Sequence, residues 1–130
     1  MSRGRQLREE RGQAMVEFAI VLPVFIVLLF GIIQFGIVFN NYETLTDATR
    51  AGARAAAVAR NNADPTGTAT AAVRSSASDL NQSNLAISVS SPWTSGSDVT
   101  VHATYPYSIH LLGWIVSSGS LSSTTTERVE

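Results

Sequence analysis

Residues 14–39, AMVEFAIVLPVFIVLLFGIIQFGIVF, form an apolar run that is interrupted only by Glu17 near its start and Gln34 near its end. An α-helix rises 1.5 Å per residue, so this run would be roughly 39 Å long, whereas the hydrocarbon core of a bilayer is about 30 Å thick. The run therefore predicts one transmembrane helix, which we assign to residues 13–39, and it makes the lipid bilayer a partner of the chain. Pro23 lies inside the run, where a kink is expected.

The residues on either side of the run predict its orientation. Residues 1–12 form a basic leader in which Arg outnumbers Glu, and no basic residue follows the apolar run closely. Arginine and lysine near a membrane helix favour the cytoplasmic side. We therefore expect a cytoplasmic amino terminus, with the rest of the chain outside the membrane.

A cleaved secretory signal peptide is the main alternative for an apolar segment near the amino terminus. Such a peptide has an apolar core of about 7–15 residues and ends at small residues. The run in this chain is longer, and residues 37–41, IVFNN, make a poor site for signal peptidase. The sequence therefore favours a retained membrane anchor.

Small residues continue at helical spacing beyond the membrane run. Ala48, Gly52 and Ala56 recur at every fourth position, and the stretch contains no proline. Residues 40–62 are therefore expected to extend the helix, so that one helix occupies about residues 13–61. Small residues let helices approach closely, and an amide can bond across helices. The predicted helix-packing residues are Gly31, Gln34 and Gly36 in the membrane and Ala48, Gly52 and Ala56 outside it.

Residues 63–130, here called the head, have a different pattern. Residues 64–67, DPTG, predict a turn, and residues 68–80 have a weak helical pattern. The alternation of apolar and polar residues then changes to a period of two, which is typical of strands. A long helix, a lesser helix and a small antiparallel sheet predict an α+β fold.

Three strands are expected in the head. They are residues 85–89, residues 99–105 and residues 121–129. Pro106 should end the second strand, because proline removes a donor from the ladder. Residues 109–116, IHLLGWIV, form a short apolar patch that we assign to no strand.

Composition argues against several classes of function. A net charge of −1 gives no basic field for nucleic acid, and the absence of cysteine excludes thiolate metal sites and a cysteine nucleophile. His102 and His110 have no acidic cluster beside them, and a triad built from Asp98 and His102 lacks the G-x-S-x-G elbow. There is also no phosphate-binding P-loop motif. We expect no enzyme, cofactor, metal or small-molecule substrate.

The start of the apolar run carries a more specific signal. Gly12 ends the basic leader, and Glu17 lies five residues on, followed by Phe18. This spacing matches the prepilin-type processing pattern, and RGQAMVEFAIVLPVFIVLLFGIIQFG resembles the TadE-like family, the TadE- or TadF-type pseudopilins of tight-adherence (Flp) pilus assembly. The resemblance continues in DATRAGARAAAVA and returns in VTVHATYPYS and LSSTTTERVE.

The resemblance implies a structural minor pilin or pseudopilin that a membrane-embedded prepilin peptidase processes. Cleavage between Gly12 and Gln13 would create an α-amino group that can pair with Glu17 of the same or an adjacent subunit. Glu17 and Phe18 would then set the register of assembly. The implied partners are the peptidase, other pilin or pseudopilin subunits and the membrane platform. The implied location is the bacterial cytoplasmic membrane or an extracellular pilus.

Two other interpretations remain open at the level of sequence. A carboxylate in a membrane helix costs up to about 3 kcal/mol at mid-depth, but Glu17 costs little if it lies near the headgroups. A separate hypothesis is an uncleaved, membrane-tethered module whose Ser/Thr-rich head binds envelope polymers or another protein. That interpretation gives the spacing of Gly12 and Glu17 no purpose. A tethered hydrolase would need a convergent polar site, which the sequence does not indicate.

Overall fold

A computed structural model describes residues 3–130, with side chains described from residue 10 onward. Its longest element is helix α1, Arg3–Ala57, which continues through Pro23. At 1.5 Å per residue, α1 is roughly 80 Å long. It is apolar and long enough to cross a membrane, and none of its most apolar window is buried.

Helix α1 extends further toward the amino terminus than predicted and ends sooner. It begins at Arg3 because the leader contains strong helix formers and no proline. Its regular part ends at Ala57, whose carbonyl accepts a hydrogen bond of 2.9 Å from the backbone N–H of Glu130. This bond satisfies one of the carbonyls that every helix leaves free at its end.

The second helix, α2, is Pro65–Ser76, and it begins earlier than predicted. Asp64 caps it, because its Oδ1 atom accepts a 2.8 Å hydrogen bond from the backbone N–H of Gly67. Pro65 suits the first helical turn, where a missing N–H costs nothing. The residues predicted as a turn are thus the cap and first turn of the helix.

Three strands form one antiparallel sheet in the order β1-β2-β3. They are β1, Ala86–Ser90; β2, Asp98–Leu111; and β3, Trp114–Arg128. Together with α1 and α2, this sheet confirms the predicted α+β class.

Strand β2 does not end at Pro106, so that prediction was wrong. Pro106 pairs with Ser120 of β3, and β2 continues to Leu111. Pairing with β1 ends at Thr104, so one side of β2 is an open edge at Pro106. A proline is tolerated at an edge, where no partner needs its N–H.

The apolar patch at residues 109–116 is the end of a long hairpin. Leu111 pairs with Trp114, which leaves Leu112 and Gly113 as a two-residue turn. Their φ angles are 51° and 85°, as in the turns whose twist matches paired strands. An irregularity in register follows Ile109 on β2.

The hydrophobic core lies between α1, α2 and one face of the sheet. The part of α1 that follows residue 44 forms one wall of it, and the odd-numbered residues of β2 form another. The buried core residues are Leu45, Ala48, Ala53, Ala56, Ala69, Val73, Ala77, Leu80, Leu85, Val99, Val101, Ala103 and Val129.

One polar side chain, Thr49, lies inside this helix–sheet interface with 0% of its surface exposed. Its hydroxyl donates to the carbonyl of Thr46 at 2.9 Å, and it lies 2.9 Å from Ser123 Oγ and 3.1 Å from Thr125 Oγ1. Because its proton goes to the carbonyl, Thr49 accepts hydrogen bonds from both sheet hydroxyls. Two lone pairs and one proton are thus all used.

The other face of the sheet carries cross-strand polar pairs. Thr100 and Thr126 are register partners with hydroxyls 3.0 Å apart. His102 Nδ1 lies 2.7 Å from Thr124 Oγ1, also directly across the strands. Such pairs stabilise one register of β2 against β3.

We predict that Thr49→Val destabilises the head. Valine keeps the shape but leaves the hydroxyls of Ser123 and Thr125 without an acceptor, which should lower the free energy of unfolding by about 1–3 kcal/mol. Equilibrium urea unfolding of the detergent-solubilised chain, followed by tryptophan fluorescence, measures this. Thr46→Val is the matched control, because Thr46 bonds only the carbonyl of Tyr42 on its own helix. Equal loss in both variants would contradict the role given to Thr49.

Candidate assembly helix

The amino-terminal motif lies on one exposed stretch of α1. Gly12, Gln13, Glu17 and Phe18 are all helical and exposed, and a Cβ atom at Gly12 would meet nothing within 4 Å. The Gln13 side-chain amide donates a 3.0 Å hydrogen bond to Glu17 Oε1. Because residues four apart share a helix face, the residue on the carboxyl side of the predicted cleavage bond is already in contact with Glu17.

No cation lies beside Glu17 among residues 10–130. The one ion pair in that described part joins Arg50 and Asp47 at 3.4 Å, far along α1. A neutral amide satisfies one carboxylate oxygen of Glu17 but does not balance its charge. In a membrane environment such a carboxylate is costly until a cation joins it.

The membrane run contacts little of its own chain. Most of the large apolar side chains between Met15 and Phe39 are exposed. Gly31 and Gln34 are half-buried and Gly36 is exposed, and a Cβ atom at either glycine would meet nothing within 4 Å. These positions therefore leave room for a neighbouring helix or for lipid.

The outer small residues are placed differently. Ala48, Gly52 and Ala56 are buried against the head of the same chain. A Cβ atom at Gly52 would collide with Val73 Cγ2 and lie 3.3 Å from the carbonyl oxygen of Ala69. It would also lie 3.4 Å from Val101 Cγ1 of β2. Only glycine lets α1 approach α2 this closely.

The proposed site residues therefore form three separate groups along α1. They are the motif at residues 12–18, the predicted packing residues of the apolar run at 31–36 and the head-packing residues at 48–56. Residues 17 and 52 are roughly 50 Å apart at 1.5 Å per residue. The fold does not join these groups into one pocket.

Sequence reasoning missed Thr49 and the hairpin turn at Leu112. Thr49 follows Ala48 on the small-residue face, and that position was the available signal for a buried hydroxyl. For the turn, the signal was Gly113 between two short apolar runs.

Both histidines contact hydroxyl groups. Besides the bond of His102, His110 Nε2 lies 2.9 Å from Ser108 Oγ. In the part of the chain that the structure describes, no three His, Asp or Glu side chains are grouped so that they could hold a metal ion.

An apolar helix that is long enough to cross a bilayer is followed by a small α+β head. This is the pilin-like architecture of a membrane-anchored, single-pass protein. Residues 12–54, about a third of the chain, match the model of the family described as TadE-like protein. Over those residues the match confirms the resemblance that the motif carries. No curated protein and no solved structure matches the chain.

Substitution by alanine should have different effects at Gly52, which packs against α2, and at Gly36, which has open space around it. Gly52→Ala should lower the free energy of unfolding by about 1–2 kcal/mol, because overpacking against Val73 outweighs the better helix propensity of alanine. Gly36→Ala, whose Cβ atom meets nothing, should leave the head unchanged. Urea unfolding of the two full-length variants in detergent compares them. If the two variants unfold at the same midpoint, the close approach at Gly52 is not a constraint on the fold.

Proposed function

We propose that the chain is a structural minor pilin or pseudopilin in the assembly of a tight-adherence pilus or a related secretion apparatus. The observation that carries this proposal is the family match over residues 12–54, which includes the processing motif and the whole apolar run. The exposed surface of that run supports it, because a subunit that assembles through its helix needs that helix free of its own head.

The first step in the proposal is cleavage by a prepilin peptidase. The enzyme hydrolyses the peptide bond between Gly12 and Gln13, which leaves a carboxylate on Gly12 and an ammonium group on Gln13. Residues 1–12 depart with all the arginines of the leader. Gly12 suits such a site, because glycine weakens a helix by about 1 kcal/mol relative to alanine and has no side chain to block an enzyme.

The new ammonium group supplies a cation for Glu17, which has none beside it among residues 10–130. It belongs to Gln13, whose side chain already contacts the Glu17 carboxylate. Pairing within one chain neutralises the charge of that chain. Pairing between chains neutralises the Glu17 carboxylate only when two subunits stand in the correct axial register. Because an unpaired carboxylate is costly in the membrane, that cost favours the correct register.

The remaining steps concern place and neighbours. The arginines of the leader keep the amino terminus in the cytoplasm of a bacterial cell, and the head stands outside the cytoplasmic membrane. Gly31 and Gly36 permit close contact with helices of other pilin subunits or of the membrane platform. The chain acts as a substrate of the peptidase and as a structural part, without catalysis of its own.

Processing is tested by the identity of the amino-terminal residue. In cells with the cognate prepilin peptidase, intact-mass and terminal-peptide mass spectrometry should find a membrane-extracted chain that starts at Gln13. Gly12→Leu, or loss of the peptidase, should leave the leader attached. A wild-type chain that keeps Arg3 to Arg11 beside an active peptidase contradicts the proposal and favours an uncleaved, tethered binding module.

Glu17→Gln tests the register step. It removes the charge but keeps the shape and the reach to Gln13. Hydrogen bonds to charged groups contribute about 1.5–3 kcal/mol, so we expect incorporation into sheared pili or cross-linked assemblies to fall about tenfold. Glu43→Gln, on the same helix but outside the apolar run, is the matched control and should assemble normally. Normal assembly of both variants would exclude charge pairing at Glu17.

A further inference from the structure

The far end of the β2–β3 hairpin is an exposed apolar surface, here called the hairpin tip: Leu112, Trp114, Ile115 and Val116. Their exposed fractions are 73%, 82%, 64% and 61%. The last three are consecutive on β3, so both faces of the strand are apolar and uncovered there. None of the four belongs to the hydrophobic core of the head.

Folding of the head does not account for these side chains. Leu112 occupies a left-handed backbone conformation, φ 51°, which Asn or Gly adopts more easily than leucine. A polar residue there would improve both the turn and its solubility. An apolar tip on a hairpin that needs none indicates a contact beyond the head.

Apart from its open end at Asp98, Glu127 and Arg128, the hairpin is also free of permanent charge. No Asp, Glu, Lys or Arg occurs from Val99 to Thr126, and Ser, Thr, Tyr and His provide its polar groups. A surface that binds a charged protein partner usually carries some charge. A neutral hairpin with Trp at its end suits the membrane–water interface, where tryptophan and tyrosine concentrate.

Two links show which way the tip points. Thr49 of α1 contacts Ser123 and Thr125 of β3, and Ala57 contacts Glu130 just after β3. Both elements therefore advance in the same direction, and the start of β3 points back toward the membrane end of α1. Leu45 and Leu121 pack in the same core cluster and agree with this direction.

The same links limit how far along α1 the tip reaches. Trp114 lies ten residues before Thr124, which stands between the two partners of Thr49, so at about 3.3 Å per strand residue the tip lies up to roughly 33 Å back along α1. At 1.5 Å per helix residue, that distance reaches the apolar run, which ends at Phe39. Tyr42, an exposed aromatic residue, lies three residues after Phe39 on α1.

We propose that the hairpin tip inserts into the outer leaflet of the membrane that α1 spans, at the boundary between headgroups and acyl chains. The occupant of the exposed apolar surface is therefore lipid. Trp114 is the interfacial anchor, and Leu112, Ile115 and Val116 enter the acyl region beside it. The head then contacts the bilayer at a second point, which limits its tilt and rotation about α1.

The inference rests on the membrane anchor of the proposed function, and the experiment separates the two. The full-length chain is reconstituted into phosphatidylcholine vesicles with the head outside. Its tryptophan fluorescence is then quenched either by brominated lipids in the bilayer or by acrylamide in the water. Trp93→Phe leaves Trp114 as the sole tryptophan. Trp114→Phe leaves Trp93, which packs near Ala56 and Val129, roughly 30 Å farther from the membrane. Phe25→Trp in a chain without both tryptophans reports on the anchor itself.

We expect Trp114 to emit at shorter wavelength in vesicles, with strong quenching by shallow-brominated lipid and weak quenching by acrylamide. Trp93 should show no lipid quenching. Leu112→Asn combined with Ile115→Ser, which keeps the turn, should abolish the lipid quenching of Trp114. If brominated lipid quenches the tryptophan of Phe25→Trp but does not quench Trp114, the hairpin proposal is overturned and the anchor is not. This holds if acrylamide quenches Trp114 in water, and it holds equally if a second copy of the chain covers Trp114. Loss of both lipid signals overturns the anchor as well.

Discussion

The close approach between α1 and α2 at Gly52 is the constraint on which the head depends. The chain has no cysteine, so no disulfide holds the head together. The sheet has three strands and one covered face, and that face is covered by α1 and α2. A side chain at Gly52 would move α2 outward and open the core between Val73 and Val101. The head is therefore a structure built around the last turns of its own anchor.

This arrangement gives the two halves of α1 different surroundings. The apolar run at residues 14–39 presents apolar side chains all round, apart from Glu17 and Gln34, which suits lipid or other membrane helices. The half after residue 44 buries one face in the head, through small residues and Thr49. Because the helix is continuous, the position of the head follows from the position of the anchor. A register set near Glu17, as we propose, would in this way be transmitted to the outer surface of the subunit.

Much of the fold could be predicted from periodicity, because α1 and the three strands differ clearly in the spacing of their apolar residues. The errors lie where tertiary context outweighs local preference. Pro106 continues a strand because β1 happens to stop two residues earlier, and a single sequence does not show where a neighbouring strand stops. Helix α2 begins at Pro65 because Asp64 caps it, and the same residues are equally typical of a free turn.

The candidate site divides in the same way. Gly12, Gln13 and Glu17 are recognisable because their spacing along one chain is the signal. Thr49 and the hairpin tip depend on which strand lies beside which part of α1, and no local pattern contains that information. The residues proposed to contact lipid are thus partly hidden from sequence, although the residues proposed to direct processing are not.

The rigid link between helix and hairpin has a consequence for any subunit that leaves the bilayer. Thr49 bonds α1 to β3, and Ala57 bonds α1 to Glu130, so α1 and the hairpin cannot slide past each other without breaking these hydrogen bonds. If the hairpin tip lies in the interface as proposed, an outward movement of α1 by one subunit rise would take the tip out of the interface in the same movement. Its four apolar side chains would then face water unless a neighbouring subunit covered them. Extraction and lateral association would in this way be coupled through the hairpin, because a neighbour would gain by covering the surface that lipid releases.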